Sequence, residues 1–315
     1  MENENYLSKA SKLSGRKITV RRVVKCSTAI TKGDFTSKRP SSCEFTVVVP
    51  CYNEASRLDV QAFLTFLGDC PPARIIFVND GSWDRTIAIL NCARAEMPGR
   101  IDVIDLRANR GKAEAVRQGL LFATNRGDAL VAYWDADLAT PLDALQDFTL
   151  IAARFSDVEV VFGSRRKMLG HRIERTFARR LISRACSTLA RLALRLPIAD
   201  TQCGAKLLRN SDAVRAAIAL PFTAGWLFDV ELFARIAERV ADRKRAFYEI
   251  PLAAWSEIPG SKVSARTVVR SGFQMLGLIA RNRLHLRPKT PSETPSVACR
   301  LVTVDTKVTF FSKSA

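Results

Sequence analysis

The sequence lacks an apolar run of the roughly 18 residues that a membrane-spanning helix requires. Its first residues also lack the apolar core of a secretory signal peptide. Its eight cysteines form no C-x-x-C pair, and its two histidines offer no zinc-like cluster. We therefore expect a soluble protein, or one peripheral on the cytoplasmic face of a membrane, with no transmembrane segment and with reduced thiols.

Acidic residues are scarce relative to basic ones, and 31 against 49 give a net charge of +18. Residues 1–43 and 281–315 together carry twelve of these net charges. A basic surface suits a phosphate-rich small substrate, an anionic membrane or a nucleic acid. Since both ends are also polar and aperiodic, we predict a basic flexible segment at 1–43, a folded domain at 44–284 and a flexible tail at 285–315.

Short β-branched runs alternate with helical patterns in the first half of the chain. Runs that end near Val49, Val78, Leu106 and Trp134 predict four strands, with helices between them. This alternation predicts an α/β fold in which a mostly parallel sheet carries helices on both faces.

Further along the chain, apolar residues recur at spacings of three and four from Ile173 to Leu196, with arginines on the other faces. This pattern predicts one long, basic, amphipathic helix. Such a helix favours contact with an anionic membrane surface.

Polar loops follow each of the four predicted strands, where parallel sheets bind their ligands. They are Tyr52-Asn53-Glu54, Asp80-Gly81-Ser82, Asn109-Arg110-Gly111-Lys112 and Asp135-Ala136-Asp137. The first loop contains no glycine, which excludes the G-x-G-x-x-G turn of a dinucleotide-binding oxidoreductase.

Asp135 and Asp137 form a D-x-D motif after the fourth strand. Two carboxylates suit Mg²⁺ or Mn²⁺, which completes its coordination with substrate phosphates and neutralises a departing diphosphate. One alternative is an acidic turn that caps the next helix. Another is a phosphohydrolase with Asp135 as its nucleophile, but three strands precede the motif and Ala139 replaces the expected Thr or Val.

These loops, in this order and spacing, resemble glycosyltransferase family 2. The resemblance covers residues 44–284 and implies the GT-A fold, a Rossmann-like three-layer sandwich of nucleotide-diphospho-sugar transferases. The later segments Asp200–Lys206, Gly225–Glu231 and Trp255–Lys262 are similar to the dolichyl-phosphate β-glucosyltransferase branch and its soluble bacterial members. The resemblance implies an inverting hexosyltransferase. Its favoured donor is UDP-glucose, ahead of GDP-mannose, and no nucleic-acid partner is expected.

The family resemblance also implies residues for the donor site. Asp80 would contact the base, Lys112 the nucleotide side, and Asp135 and Asp137 the diphosphate and its Mg²⁺ or Mn²⁺. The full predicted nucleotide-sugar set is Pro50, Tyr52, Asn53, Glu54, Asp80, Lys112, Asp135, Ala136 and Asp137.

The acceptor that the resemblance implies is a polyprenyl or dolichyl phosphate, which is already anionic and needs no general base. Arg165, Arg179 and Ser183 would hold its phosphate. If the acceptor is instead a glycan or another hydroxyl, a base is required, and Asp229 is then the candidate, with Glu231 second. A domain that binds the nucleotide-sugar without catalysis is the more distant alternative.

Overall fold

The computed structural model describes residues 44–166, 168–173, 187–188, 190–256, 277 and 300–301. The strands are β1 Phe45–Cys51, β2 Ala73–Asp80, β3 Ile101–Leu106, β4 Leu130–Trp134, β5 Val160–Ser164, β6 Arg172–Ile173, β7 Ala205–Arg209, β8 Phe247–Pro251, β9 Ala254–Trp255 and β10 Arg300–Leu301. The helices are α1 Val60–Asp69, α2 Thr86–Glu96, α3 Lys112–Arg126, α4 Ala144–Arg154, α5 Asp212–Ile218 and α6 Phe228–Ala237. The four strands predicted first correspond to β1 to β4.

The central sheet has eight strands in the order β10-β3-β2-β1-β4-β7-β5-β8. The four neighbouring strands β3, β2, β1 and β4 run parallel to one another, and β5 and β8 form a second parallel group, of two strands. Only β7 and β10 run antiparallel to their neighbours in this sheet. The predicted mostly parallel sheet is therefore confirmed, and β1 to β5 all end on the same side of it.

Each face of the sheet packs against its own apolar core. Along β1, Val47 and Val49 belong to one core and Val48 to the other, because side chains alternate along a strand. Helices α1, α2 and α4 cover the first face, whereas α3, α5 and α6 cover the second. The predicted three-layer architecture is thus confirmed.

The predicted long basic helix is partly wrong. Ile173 belongs to β6, which pairs with β9, so no helix begins there. Residues 190–194 are helical, but Leu192 is 49% exposed while Ala193 and Leu194 are buried. The apolar face is therefore rotated from the predicted stripe by about one residue, or 100°.

The two predicted tails are described to different extents. Residues 1–43 lie outside the described residues altogether. Within the predicted tail 285–315, Arg300–Leu301 pair with β3. Across the described ranges, no helix combines the length and the apolarity that crossing a bilayer demands.

Candidate active site

The loops after β1 and β2 are joined directly at the carboxyl end of the sheet. The Asn53 backbone N–H donates to Ser82 Oγ at 2.9 Å, and the Trp83 N–H donates to Asn53 Oδ1 at 3.0 Å. The Glu54 N–H donates to Thr86 Oγ1 at 2.8 Å. Asn53 has a φ of 51°, a left-handed conformation that asparagine tolerates. The first loop is therefore held in a defined conformation against the second.

Asp80 joins the second loop to the third. Its two carboxylate oxygens accept the backbone N–H groups of Arg110 and Gly111, at 2.7 and 2.8 Å. Burial raises the pKa of Asp80, although these two hydrogen bonds oppose the rise. Asp80 thus positions the start of α3, where Lys112 lies, and its predicted contact with a nucleotide base stays a prediction.

Pro50, near the end of β1, and Tyr52, in the first loop, are both half-buried, and Glu54 in the same loop is buried. Glu54 Oε1 accepts a hydrogen bond from Arg57 Nη2 at 2.7 Å. The hydrogen bond that Arg57 donates to Glu54 raises the pKa of Arg57, as do the charges of Glu54, Asp137 and Asp135, while burial opposes the rise. Arg57, which the sequence analysis did not identify, therefore adds positive charge between the first loop and the D-x-D motif.

Asp135 lies between Lys112 and the chain that enters β7. Its carboxylate forms an ion pair with Lys112 Nζ, and its backbone N–H donates to the Gly204 carbonyl at 3.1 Å. A Cβ atom on Gly204 would lie 1.8 Å from Asp135 Oδ2, so any side chain at this position would displace the Asp135 carboxylate. Ala136 is buried in the apolar core and carries no polar side-chain group.

Asp137 completes a pair of carboxylates that fits a hard divalent cation. Burial and then the nearby charge of Asp135 raise the pKa of Asp137, although its Oδ1 accepts the Ala139 N–H at 3.1 Å. A cation between the two carboxylates would offset this repulsion. Within the described ranges, no three His, Cys, Asp or Glu residues cluster as a metal site. The pair suits Mg²⁺ or Mn²⁺, which bind one or two carboxylates together with substrate phosphates.

Arg165 is held in a chain of contacts that begins on β8. Its Nε and Nη2 donate to Asp200 Oδ2 and Oδ1 at 2.7 and 2.8 Å, and its guanidinium lies 5.4 Å from the Trp255 ring centre. The Asp200 and Ala199 N–H groups each donate to a Glu249 carboxylate oxygen at 2.9 Å. Burial lowers the pKa of Arg165, but Asp200 outweighs it and the net shift is upward. Arg165 therefore stays charged in a fixed orientation.

Asp229, the predicted base, is buried in an ion pair. Lys206 Nζ lies 2.9 Å from Asp229 Oδ1, and the Tyr133 hydroxyl donates to the same oxygen. Burial and then the charge of Asp229 raise the pKa of Tyr133 well above its ordinary value. Burial lowers the pKa of Lys112, but the charges of Asp135 and then Asp229 outweigh it, and the net shift is upward.

Glu231, the second candidate base, is bound within its own part of the chain. Glu231 accepts the Ala224 N–H at 2.7 Å and a hydrogen bond from Arg235 at 2.8 Å, so it stabilises the loop before α6. Arg179 and Ser183 lie outside the described residues, and their role stays a prediction.

The segments that carry the family resemblance include Asp200, Lys206 and Trp255, but the sequence analysis assigned these residues no role. It did not identify Glu249. Of these residues, Lys206 carries a signal in the sequence, since it is a charged residue flanked by Ala205 and Leu207 in a mostly buried strand. A buried strand that includes lysine indicates a buried partner of opposite charge.

Comparison with known proteins agrees with this geometry. The glycosyl transferase family 2 profile matches residues 46–214. Dolichyl-phosphate beta-glucosyltransferase from Drosophila melanogaster is 32% identical over 237 residues, which are 71% of this chain and 70% of the relative. The Saccharomyces cerevisiae protein of the same name is 32% identical over 236 residues, which are 70% and 69% of the two chains.

The fold also matches a solved structure, glucosyl-3-phosphoglycerate synthase from Mycobacterium tuberculosis in complex with Mn²⁺ and UDP-glucose. The TM-score is 0.55 at 18% identity, and the match covers 75% of this chain and 79% of that one. The likeness supports the GT-A arrangement of the sheet and its helices. With the profile covering more than half of its length, this chain belongs to glycosyltransferase family 2.

Proposed function

We propose that the chain transfers glucose from UDP-glucose to a polyprenyl phosphate, with inversion at the anomeric carbon. The relatives that carry the name dolichyl-phosphate beta-glucosyltransferase support both the hexose and the lipid phosphate. The neighbour with bound Mn²⁺ and UDP-glucose has the same fold, which supports the donor and the metal. Family membership leaves the phosphohydrolase alternative without support.

The donor would lie across the four loops at the carboxyl end of the sheet. Tyr52 and Asp80 lie on the side of the first two loops, where a base can contact an aromatic ring and a carboxylate. Lys112, Asp135 and Asp137 lie on the side of the third and fourth loops, where positive charge and a divalent cation suit a diphosphate.

The observation that carries the choice of acceptor is the ion pair at Asp229. A general base must be able to accept a proton, but Asp229 is buried and bound by both Lys206 and Tyr133. The acceptor that fits best is one that carries no proton on its nucleophile. A phosphomonoester is mostly ionised near neutral pH, because its second pKa is about 6. Arg165 supplies a permanent positive charge for such a phosphate.

The reaction is then a single displacement. An unprotonated oxygen of the acceptor phosphate attacks the anomeric carbon of glucose, and the bond from that carbon to the UDP oxygen breaks. The electron pair leaves with UDP, and the configuration at the carbon inverts. Mg²⁺ or Mn²⁺ held by Asp135 and Asp137 would neutralise charge on the diphosphate. Lys112, paired with Asp135, adds positive charge on the same side.

The second candidate is transfer to a glycan hydroxyl with Asp229 as the base. The charge of Asp229 raises the pKa of Lys112, and this electrostatic interaction with a predicted donor-site lysine is the observation that favours the second candidate. For catalysis, Lys206 and Tyr133 would have to release Asp229, and a buried pair that is broken costs about 3–5 kcal/mol.

The experiment that separates these functions is a transfer assay with the purified full chain. Radiolabelled UDP-glucose or GDP-mannose is incubated with Mn²⁺ and either dolichyl phosphate or an oligosaccharide. We expect label from UDP-glucose in the lipid phase as a β-linked glucosyl phosphate. Label in the oligosaccharide alone would favour the hydroxyl acceptor. Donor binding without transfer to either acceptor would favour a non-catalytic domain.

Glu249 should affect acceptor use although it is remote from both substrates. Glu249→Gln replaces one accepting oxygen with an amide group that cannot accept the Asp200 or Ala199 N–H. Hydrogen bonds to charged groups contribute about 1.5–3 kcal/mol, so we expect the acceptor KM to rise about tenfold as Asp200 and Arg165 lose their fixed position.

Steady-state rates with acceptor and donor varied in turn measure this effect. The donor KM should stay unchanged, which separates a positioning role from general loss of structure. Glu238→Gln, an exposed substitution of the same kind, is the control. Equal changes in both KM values would contradict the role of Glu249.

A further inference from the structure

Two apolar side chains project from the short segment between Arg165 and β6. Met168 is 52% exposed and Leu169 is 104% exposed. The His171 N–H donates to the Met168 carbonyl at 3.1 Å, which closes a β-turn, and Gly170 has a φ of 83°. This is the third position of a type II turn, where glycine is favoured. The turn therefore holds Leu169 at its apex.

The base of this turn is anchored to the chain before β9. His171 Nδ1 lies 2.8 Å from the Leu252 carbonyl, and the Arg172 N–H donates to the Ala253 carbonyl at 2.9 Å. β9 then carries Trp255, whose ring contacts the Arg165 guanidinium. The apolar apex and the proposed acceptor cation are thus supported by the same pair of short strands.

The segment that forms the turn carries charge of a single sign. Residues 165–173 contain four Lys or Arg residues and no Asp or Glu. Arg166 and Arg172 are both exposed on either side of the apolar apex. Scattered exposed leucines are ordinary on protein surfaces. A rigid apolar apex between exposed cations is the pattern that suits the interface of an anionic bilayer.

We propose that Met168 and Leu169 insert into the interfacial region of an anionic membrane. This inference rests on the proposed function, because it places Arg165 at the depth of the lipid phosphate groups. The apolar side chains would enter the boundary of the acyl chains, while Arg166 and Arg172 would contact the headgroups. The acceptor phosphate then reaches Arg165 without leaving the interface.

The test measures binding of the full chain to vesicles of phosphatidylcholine mixed with phosphatidylglycerol. Leu169→Asp should lower the partition coefficient about tenfold, because a leucine that would be buried in the membrane is replaced by a charge that anionic lipid repels. Leu169→Trp should raise it several-fold, since tryptophan favours the membrane interface. Leu150→Asp is the matched control, because Leu150 is an exposed leucine on α4 and should leave binding unchanged.

Transfer assays distinguish a failure of this inference from a failure of the proposed function. Leu169→Asp should lose transfer to dolichyl phosphate in vesicles but keep transfer to a short, water-soluble isoprenyl phosphate. If both Leu169 variants bind vesicles like the wild type, the membrane inference is wrong, whatever the acceptor. If vesicle binding changes as expected but no phosphate acceptor is glucosylated, the inference stands and the proposed function is wrong.

Discussion

Asp137→Ala is expected to lower the rate of metal-dependent glucosyl transfer about a thousandfold. The reason is that the leaving diphosphate would lose several kcal/mol of charge stabilisation. Asp135 would remain as the only carboxylate of the D-x-D motif, and it is already paired with Lys112. The metal would therefore lose one of its two protein ligands.

The same substitution should leave the fold intact. The Asp137 side chain makes a single hydrogen bond, to the Ala139 N–H, in the part of the chain that the structure describes. A hydrogen bond to a charged group contributes about 1.5–3 kcal/mol, and relief of the repulsion from Asp135 offsets part of its loss. We expect the Tm to change by only a few degrees.

Initial rates over a Mn²⁺ titration, with a thermal-shift measurement of UDP binding, provide the test. The control is Asp157→Ala, which removes a half-exposed aspartate paired only at 3.9 Å with Arg245. It should keep the wild-type metal response. If Asp137→Ala is still stimulated by Mn²⁺ at the wild-type concentration, Asp137 is not a metal ligand.

The parts of the fold that could be predicted from sequence are those determined by residues close together in the chain. β1 is a run of β-branched residues between polar segments, and its pattern alone identifies a buried strand. Ile173 shows the limit, because its position in a helical pattern was outweighed by pairing with Trp255, which is far away in the chain. Pairings between remote segments leave little trace in a local pattern.

The residues of the candidate site also divide into those that could be predicted from the sequence and those that could not. The positions of Asp80, Lys112 and Asp135 follow from strand ends, which parallel sheets bring together. The partners of Asp229 could not be predicted, because Lys206 and Tyr133 reach it from two different strands. This pairing changes the interpretation of Asp229, since a buried carboxylate with two strong partners is better suited to organising the site than to removing a proton.

Arg165→Lys is expected to lower kcat/KM for the lipid phosphate about a hundredfold while leaving UDP-glucose binding unchanged. Lysine keeps the charge but has a single nitrogen, whereas arginine donates from a planar fork. The fork holds Asp200 through two parallel hydrogen bonds at 2.7 and 2.8 Å. Lysine would satisfy Asp200 or the acceptor phosphate, but not both in the same geometry.

Arg165→Ala alone would be ambiguous, because it leaves the buried Asp200 without its main counterion at a cost of about 3–5 kcal/mol. The double variant Arg165→Met with Asp200→Asn removes both charges together and should regain most of that stability. If it regains stability but not acceptor use, Arg165 acts on the acceptor. If acceptor use returns with stability, Arg165 is only a structural partner of Asp200. Arg215→Met, at an exposed ion pair on α5, controls for loss of surface charge.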